Sequence, residues 1–225
     1  FKETYKVLKE KHDKPRFIMT LSITNHPPYR LPKDVEIQKI KLDEKTLGRF
    51  PYDNTETIFA TFRYANDELG KFINAVKEDV SLKDNIFIAA TGDHNMRGIG
   101  YSDYPEELVF GHEVPFYLYM PEKYIRNTAV RYDPKRLGSH KDIITTLVSH
   151  AVSDYTFYSF GCDMLSNDKC NFPYAYNQSV SVGYGKDYAC ELQTDNYGVS
   201  YKITDRKQLF VSPKADDANC TKEAA

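Results

Sequence analysis

The chain of 225 residues combines 41% hydrophobic with 28% charged residues, a composition that is typical of a folded domain and excludes disorder of the whole chain. Its 30 basic and 32 acidic residues are interspersed and give a formal net charge of −2, so no basic stripe is present that would hold a phosphate backbone. We therefore expect no nucleic acid among its partners.

The first predicted elements are a helix, a strand and a second helix. The opening segment FKETYKVLKEKHDK predicts a polar helix with Tyr5 and Leu8 on one face. Residues 15–23, PRFIMTLSI, are apolar at nearly every position and predict a central parallel strand buried on both faces. Residues 55–80 predict an amphipathic helix that begins at an N-cap within residues 53–55. Its apolar stripe is predicted to consist of Ile58, Phe62, Ala65, Leu69, Phe72 and Val76.

Two further strands and a third helix follow. Residues 85–91, NIFIAAT, and residues 114–120, VPFYLYM, repeat the pattern of a buried strand. Residues 139–152 predict a helix that opens with the capping-box pair Ser139 and Asp142. Strands that alternate with helices predict an α/β fold, with a mostly parallel sheet flanked by helices.

The last third of the chain has a different composition. Beyond Phe157 it is rich in Tyr, Asn, Ser and Gly, with alternating stretches such as YACEL and GVSYKI between turn-forming residues. This pattern predicts a small antiparallel sheet. We therefore predict a core at residues 1–155 and a β-rich C-terminal subdomain at residues 156–225 that packs on it.

The four cysteines, Cys162, Cys170, Cys190 and Cys220, all lie in this last third, and none forms a C-x-x-C pair. An even number of cysteines in a loop-rich tail predicts two structural disulfides and an oxidising compartment. The alternative is four unpaired thiols in a cytosolic protein. Four cysteines allow three connectivities, of which nearest-neighbour spacing favours Cys162 with Cys170 and Cys190 with Cys220.

Histidines follow two of the predicted strands, at the carboxyl ends where open α/β sheets bind their ligands. His26 lies in the segment TNHPPY after the first strand, and Asp93 and His94 lie in GDHNMR after NIFIAAT. A carboxylate beside an imidazole suits manganese or zinc better than calcium, which prefers oxygen ligands alone. Asp93 and His94 are thus candidate metal ligands, although two ligands do not complete a site.

The G-D-H segment resembles the metal-binding motif that ends a core strand in the alkaline phosphatase/sulfatase superfamily. The run FIMTLSITNHPPY resembles the strand and histidine loop of lipoteichoic acid synthases and phosphoethanolamine transferases. The same enzymes have a helix after this loop, which TFRYANDELGKFI resembles, and then a further strand, which VPFYLYMPE resembles. Their S-H-x-D-I-x-P-T-L signature comes next, and GSHKDIITTL is similar to it. The resemblance runs in the same order from residue 14 to residue 165 and implies an alkaline-phosphatase-like core. Thr145 replaces the signature's proline, which we expect to have little functional effect at a helix's first turn.

The resemblance implies a role for Asp93, His94 and His26, and two other candidates, Arg97 and His112, follow from their positions alone. Asp93 and His94 would bind one divalent ion, manganese or zinc, with magnesium or calcium as alternatives. His26 would hold the phosphoryl oxygens of the substrate or assist proton transfer. Arg97 is a candidate phosphate clamp or an ordinary surface arginine, and His112 is a weaker candidate for approaching the site.

Two residues of the signature have a structural interpretation. His140 and Asp142 match the S-H-x-D segment. They fall in the first turn of the predicted helix, where an acidic side chain caps the helix and offsets its dipole. We therefore interpret both as structural residues.

The function that the resemblance implies is transfer of a phosphoglycerol or phosphoethanolamine group from a phospholipid head group to a glycan or lipid acceptor. The alternatives are a sulfatase, which hydrolyses sulfate esters, and a non-catalytic binding domain. The family's nucleophilic Thr or Ser is expected upstream of residue 1, so these 225 residues alone should be inactive. We also expect an upstream anchor in the bacterial inner (cytoplasmic) membrane, with this domain periplasmic or otherwise extracytoplasmic.

Overall fold

The computed structural model describes residues 1–36, 40–50, 52–96, 105–127, 133, 136–166, 170, 175–176, 182–185, 187–194 and 197–220. The chain forms two compact units, Phe1–Ile86 and Phe87–Ala225. The predicted division into residues 1–155 and 156–225 is a different one, and it stays a prediction.

The first unit is helical in its described residues. Its longest helix confirms the amphipathic helix predicted for residues 55–80, and Asn54 is its N-cap. Ile58 and Val76 are buried as predicted, whereas Phe62 is 53% exposed because Thr61 takes the buried position beside it. The helices are α1 (Lys2–Lys9), α2 (Glu44–Arg49) and α3 (Thr55–Glu78).

Residues 15–23, predicted as a buried central strand, form no strand in the structure. Phe17, Met19, Leu21 and Ile23 are exposed, by 73% at Phe17 and by 83% at Met19, and only Ile18 is partly buried. A strand needs a neighbour for its backbone N–H and C=O groups, and among the described residues this segment pairs with none. The prediction was wrong because an apolar, β-branched composition shows only that a segment suits a sheet. It does not show that a neighbouring strand is available to pair with it.

Asp79 joins α1 to the C-terminal end of α3. Its carboxylate accepts hydrogen bonds from the Tyr5 hydroxyl and the Lys9 ammonium, each at 2.7 Å. The backbone N–H and the hydroxyl of Ser81 donate to its other oxygen at 2.8 and 2.7 Å. The bond from Lys9, followed by those from Ser81 and Tyr5, holds the pKa of Asp79 well below its usual range.

We expect Asp79→Asn to loosen α1 at neutral pH. Because the folded-state pKa is lowered, the carboxylate contributes its full stabilisation above about pH 4 and loses it as the pH falls through the folded pKa. The variant should mimic this acid effect by speeding amide hydrogen exchange in α1, while the middle of α3 stays protected. Asp84→Asn, at an exposed carboxylate, is the matched control. Equal exchange in the two variants would contradict the role of Asp79.

The second unit begins with two paired strands, β1 (Ile88–Thr91) and β2 (Phe116–Tyr119). They lie inside the two segments predicted as strands, but they pair antiparallel, with Ile88 opposite Tyr119. A parallel crossover usually needs a helix. In the described part, the connection between them contains only short 3₁₀ turns, at Pro105–Glu107 and Phe110–His112.

Every strand pair in the described part of the chain is antiparallel. The mixture of helices and strands agrees with the predicted fold class, whereas its mostly parallel sheet is not confirmed.

In the described part of the chain, β2 is followed by the helices α4 (Glu122–Asn127) and α5 (His140–Ala151). Helix α5 confirms the helix predicted for residues 139–152. The Asp142 carboxylate accepts the backbone N–H of Ser139 at 2.8 Å, which satisfies a donor at the helix N-terminus as the predicted capping box requires. Across the described ranges, no helix is both long and apolar enough to cross a membrane.

The C-terminal part forms the predicted antiparallel sheet, in which the first five described strands pair in chain order and the sixth pairs with the fourth. Its core contains Val182, Tyr184, Ala189 and Val211, all of them buried. The strands are β3 (Ala175–Tyr176), β4 (Val182–Tyr184), β5 (Tyr188–Thr194), β6 (Tyr197–Asp205), β7 (Phe210–Val211) and β8 (Asp216–Cys220).

Two disulfides link Cys162 to Cys170 and Cys190 to Cys220, the pairs that nearest-neighbour spacing favours. The second joins β5 to β8, which flank β6 on opposite edges. It passes close to Gly198 of β6, where a Cβ atom would lie 2.8 Å from Cys220 Sγ and 3.0 Å from Cys190 Sγ. Glycine is therefore required at this position by the disulfide beside it.

Candidate metal-binding site

Asp93 and His94 lie in the loop that begins where β1 ends at Thr91. The Nε2 atom of His94 is 3.7 Å from Oδ2 of Asp93. Two donors that each bind one ion at about 2.1 Å are separated by roughly 3 to 3.5 Å. The pair is thus within a small adjustment of the spacing that a shared manganese or zinc ion requires.

The His94 ring is oriented by the backbone of the next residue. Its Nδ1 lies 2.7 Å from the carbonyl oxygen of Asn95. Because a carbonyl oxygen only accepts, Nδ1 donates its proton and the lone pair of Nε2 is left for a ligand when the ring is neutral. Metal-binding histidines are held in this way, through a hydrogen bond from the nitrogen that does not touch the metal. The donor chemistry of the pair therefore fits a divalent ion.

The pair is open to solvent, with 76% of the Asp93 side chain and 42% of the His94 side chain exposed. Within the described ranges, no group of three or more His, Cys, Asp or Glu side chains is placed to hold a metal ion. A tetrahedral zinc site takes four ligands. Asp93 and His94 accordingly supply part of a coordination sphere and not the whole of it.

His140, the first residue of α5, contacts this loop. Its Nε2 is 2.7 Å from the carbonyl oxygen of Gly92, which directly precedes Asp93. The sequence interpretation of His140 as a structural helix residue did not include this contact. The signal that marks it is its place in the S-H-x-D segment, although the sequence names no partner for it.

His112 ends a 3₁₀ turn two residues before Val114, whose side chain would lie 3.4 Å from a Cβ atom at Gly92. Burial lowers the pKa of His112, and the Glu191 carboxylate of β5 opposes this effect. Between described residues, no hydrogen bond or ion pair joins His112 to Asp93 or His94. Its role in substrate binding stays a prediction.

His26 belongs to the first unit, in an exposed turn. Its Nδ1 lies 2.8 Å from the carbonyl oxygen of Pro27, so Nδ1 donates and Nε2 is left for a substrate. Its role as a substrate ligand stays a prediction. Arg97, the candidate phosphate clamp, lies outside the described residues.

Comparison with known protein families identifies the family to which the chain that carries this loop belongs. The sulfatase family model matches residues 1–153, which is more than half of the chain. The chain therefore belongs to the sulfatase family, within the alkaline phosphatase/sulfatase superfamily of hydrolase- and transferase-type enzymes. Enzymes of this family generally use a divalent metal ion. No curated protein and no solved structure gives a significant match.

Proposed function

We propose that this chain supplies the metal-binding part of a transferase that moves a phosphoglycerol or phosphoethanolamine group from a phospholipid to a glycan or lipid acceptor. The observation that carries the proposal is the Asp93–His94 pair, whose Oδ2 and Nε2 atoms are 3.7 Å apart. The bond from His94 Nδ1 to the Asn95 carbonyl leaves Nε2 for the ion. Membership of the sulfatase family supports a hydrolase or transferase of this type.

The proposed roles follow from the donors of each side chain. Asp93 and His94 would hold manganese or zinc, which would supply positive charge to stabilise phosphoryl oxygens and to lower the pKa of an attacking hydroxyl. His26 has Nδ1 committed to a backbone carbonyl. Its Nε2 therefore accepts a proton in the neutral ring and donates to a phosphoryl oxygen in the charged ring.

The choice of a phosphodiester over a sulfate ester rests on the segment around His26, FIMTLSITNHPPY, and its resemblance to the phosphoethanolamine and phosphoglycerol transferases. A lipid donor also places the proposed reaction at a membrane surface, on the outer face of the bacterial cytoplasmic membrane. The partners proposed are thus a phospholipid head group and a glycan or lipid acceptor. Sulfate-ester hydrolysis is the competing function.

Parallel assays on one preparation of the full-length protein test this choice. The protein is stripped with a chelator, reloaded with Mn²⁺ or Zn²⁺, and given fluorescent phosphatidylglycerol, fluorescent phosphatidylethanolamine and an aryl sulfate. We expect metal-dependent turnover of one phospholipid and none of the aryl sulfate. Turnover of the aryl sulfate alone would replace the proposal with a sulfatase. A protein that binds the metal and turns over none of the three would be a binding domain.

A further inference from the structure

The loop that carries Asp93 and His94 is held mainly by hydrogen bonds between neighbours in sequence. The His94 N–H donates to Asp93 Oδ1 at 3.0 Å, and the Met96 N–H donates to Asn95 Oδ1 at 2.8 Å. Such bonds shape the loop but do not fix it relative to the sheet, because both partners move together. The direction in which Asp93 and His94 point must therefore be set by a contact from another element.

His140 makes such a contact. Its Nε2 lies 2.7 Å from the Gly92 carbonyl oxygen, across 48 residues of sequence. The carbonyl oxygen only accepts, so the hydrogen bond requires a proton on Nε2 of His140. Between described residues, no other hydrogen bond joins residues 92–96 to a distant segment of the chain.

The contact acts directly on the residue that follows Gly92. The carbonyl oxygen of Gly92 and the backbone N–H of Asp93 share one planar peptide group. Holding that oxygen therefore fixes the plane from which the Asp93 Cα–Cβ bond departs. The Thr91 hydroxyl donates to the same oxygen at 3.1 Å, so the carbonyl is held from the strand and from the helix at once.

His140 itself stands on a rigid base. It is the first residue of α5, directly after Ser139, whose backbone N–H is bonded to the Asp142 carboxylate at 2.8 Å. Asp142 is only 2% exposed and also accepts the Cys162 N–H at 2.7 Å. The N-terminal end of α5 is thus hydrogen-bonded to the loop that contains Cys162. These bonds limit how far His140 can move when the loop that carries Asp93 and His94 moves.

We infer that His140 is a positioning residue of the proposed metal site: it holds the Gly92 carbonyl through Nε2–H and so orients Asp93 and His94 toward a shared ion. The inference rests on the proposed function in one respect, since it requires that Asp93 and His94 bind the ion. It assigns His140 no contact with the metal or the substrate.

The test measures Mn²⁺ affinity of the full-length protein by electron paramagnetic resonance titration, in wild type and in four variants. His140→Ala should weaken binding about tenfold to a hundredfold, the usual effect of losing a group that orients a metal ligand. His140→Gln should restore most of the affinity, because its side-chain amide N–H can donate to the same carbonyl. His12→Ala, at an exposed histidine of the first unit, should leave the affinity unchanged. Asp93→Asn should abolish binding.

The outcomes separate the inference from the proposed function. If Asp93→Asn binds Mn²⁺ like wild type, the proposed metal site fails. If Asp93→Asn loses the ion while His140→Ala keeps wild-type affinity, only the role of His140 fails. Nitrogen-15 NMR of the metal-free wild-type protein tests the contact without any substitution. We expect the His140 proton on Nε2, and a proton on Nδ1 with a bare Nε2 would overturn the inference.

Discussion

Replacing Asp93 by asparagine is expected to remove the bound ion and to lower turnover about a thousandfold. The substitution keeps the size of the side chain but takes away the negative charge that faces His94 Nε2 across 3.7 Å. A catalytic metal supplies several kcal/mol of charge stabilisation, and each 1.4 kcal/mol corresponds to a factor of ten in rate. Metal content by mass spectrometry and steady-state turnover of the proposed phospholipid substrate measure the two effects on the same sample.

The effect should be specific to this carboxylate. Asp84→Asn removes an exposed charge shortly before β1 and should change neither metal content nor turnover. Because the Asp93 side chain is 76% exposed, its substitution should leave the thermal midpoint of the metal-free protein nearly unchanged, which excludes unfolding as the cause. An Asp93→Asn protein that retains both the ion and its activity would show that the ligand lies elsewhere.

Local patterns in the sequence were sufficient for the two longest described helices, whereas α2 and α4 were not predicted. The three- and four-residue spacing of apolar side chains in residues 55–80 predicts α3, and the capping pair Ser139 and Asp142 predicts the start of α5. Both signals lie entirely within the element that they describe. The same holds for the alternating stretches that predict the tail sheet, since hairpin partners there follow one another along the chain.

Pairing of strands was less predictable because it depends on distant partners. Residues 15–23 have the composition of a buried strand, yet most of their apolar side chains are exposed. Composition alone therefore does not tell whether another strand lies beside a segment. The two strands β1 and β2 were located correctly, but their antiparallel direction depends on the path of the connection between them.

The residues of the candidate site were predictable from the local sequence, whereas the contacts that orient them were not. Asp93 and His94 are adjacent, so a three-residue motif finds them. The groups that orient them are the backbone carbonyl of Asn95 and the side chain of His140, which lies 48 residues beyond Gly92. A carbonyl has no sequence signature, and the His140 contact forms only when the start of α5 meets the loop that follows β1.

Helix α5 owes its position to a polar stripe that the following loop covers. Asp142, Thr145 and Thr146 are all buried, and each is bonded to the loop. Cys162 N–H donates to Asp142, Met164 N–H donates to Thr146 Oγ1 at 2.9 Å, and the Ser159 and Thr145 hydroxyls are hydrogen-bonded. Thr145 is the sixth residue of the helix and so lies beyond the first turn in which it was expected, and its hydroxyl makes a contact that a proline side chain could not make.

Close docking of this loop explains Gly161 and predicts the largest loss of stability. A Cβ atom at Gly161 would overlap the Lys141 carbonyl oxygen and lie 2.6 Å from Thr145 Oγ1. Gly161→Ala must push the loop off α5, which we expect to cost about 1 to 3 kcal/mol as overpacking does. Gly70→Ala is the matched control, since nothing lies within 4 Å of that site in α3 and alanine there should stabilise by about 0.5 to 1 kcal/mol. Urea unfolding measures both changes.

The loss of stability in Gly161→Ala should be accompanied by weaker metal binding. Lys141 directly follows His140, so displacement of the loop strains the helix turn that holds the Gly92 carbonyl. Gly161→Ala should therefore weaken Mn²⁺ binding in the folded protein, whereas Gly70→Ala should not. If Gly161→Ala lowers the urea midpoint and leaves Mn²⁺ affinity at the wild-type value, α5 stabilises the second unit without supporting the metal loop.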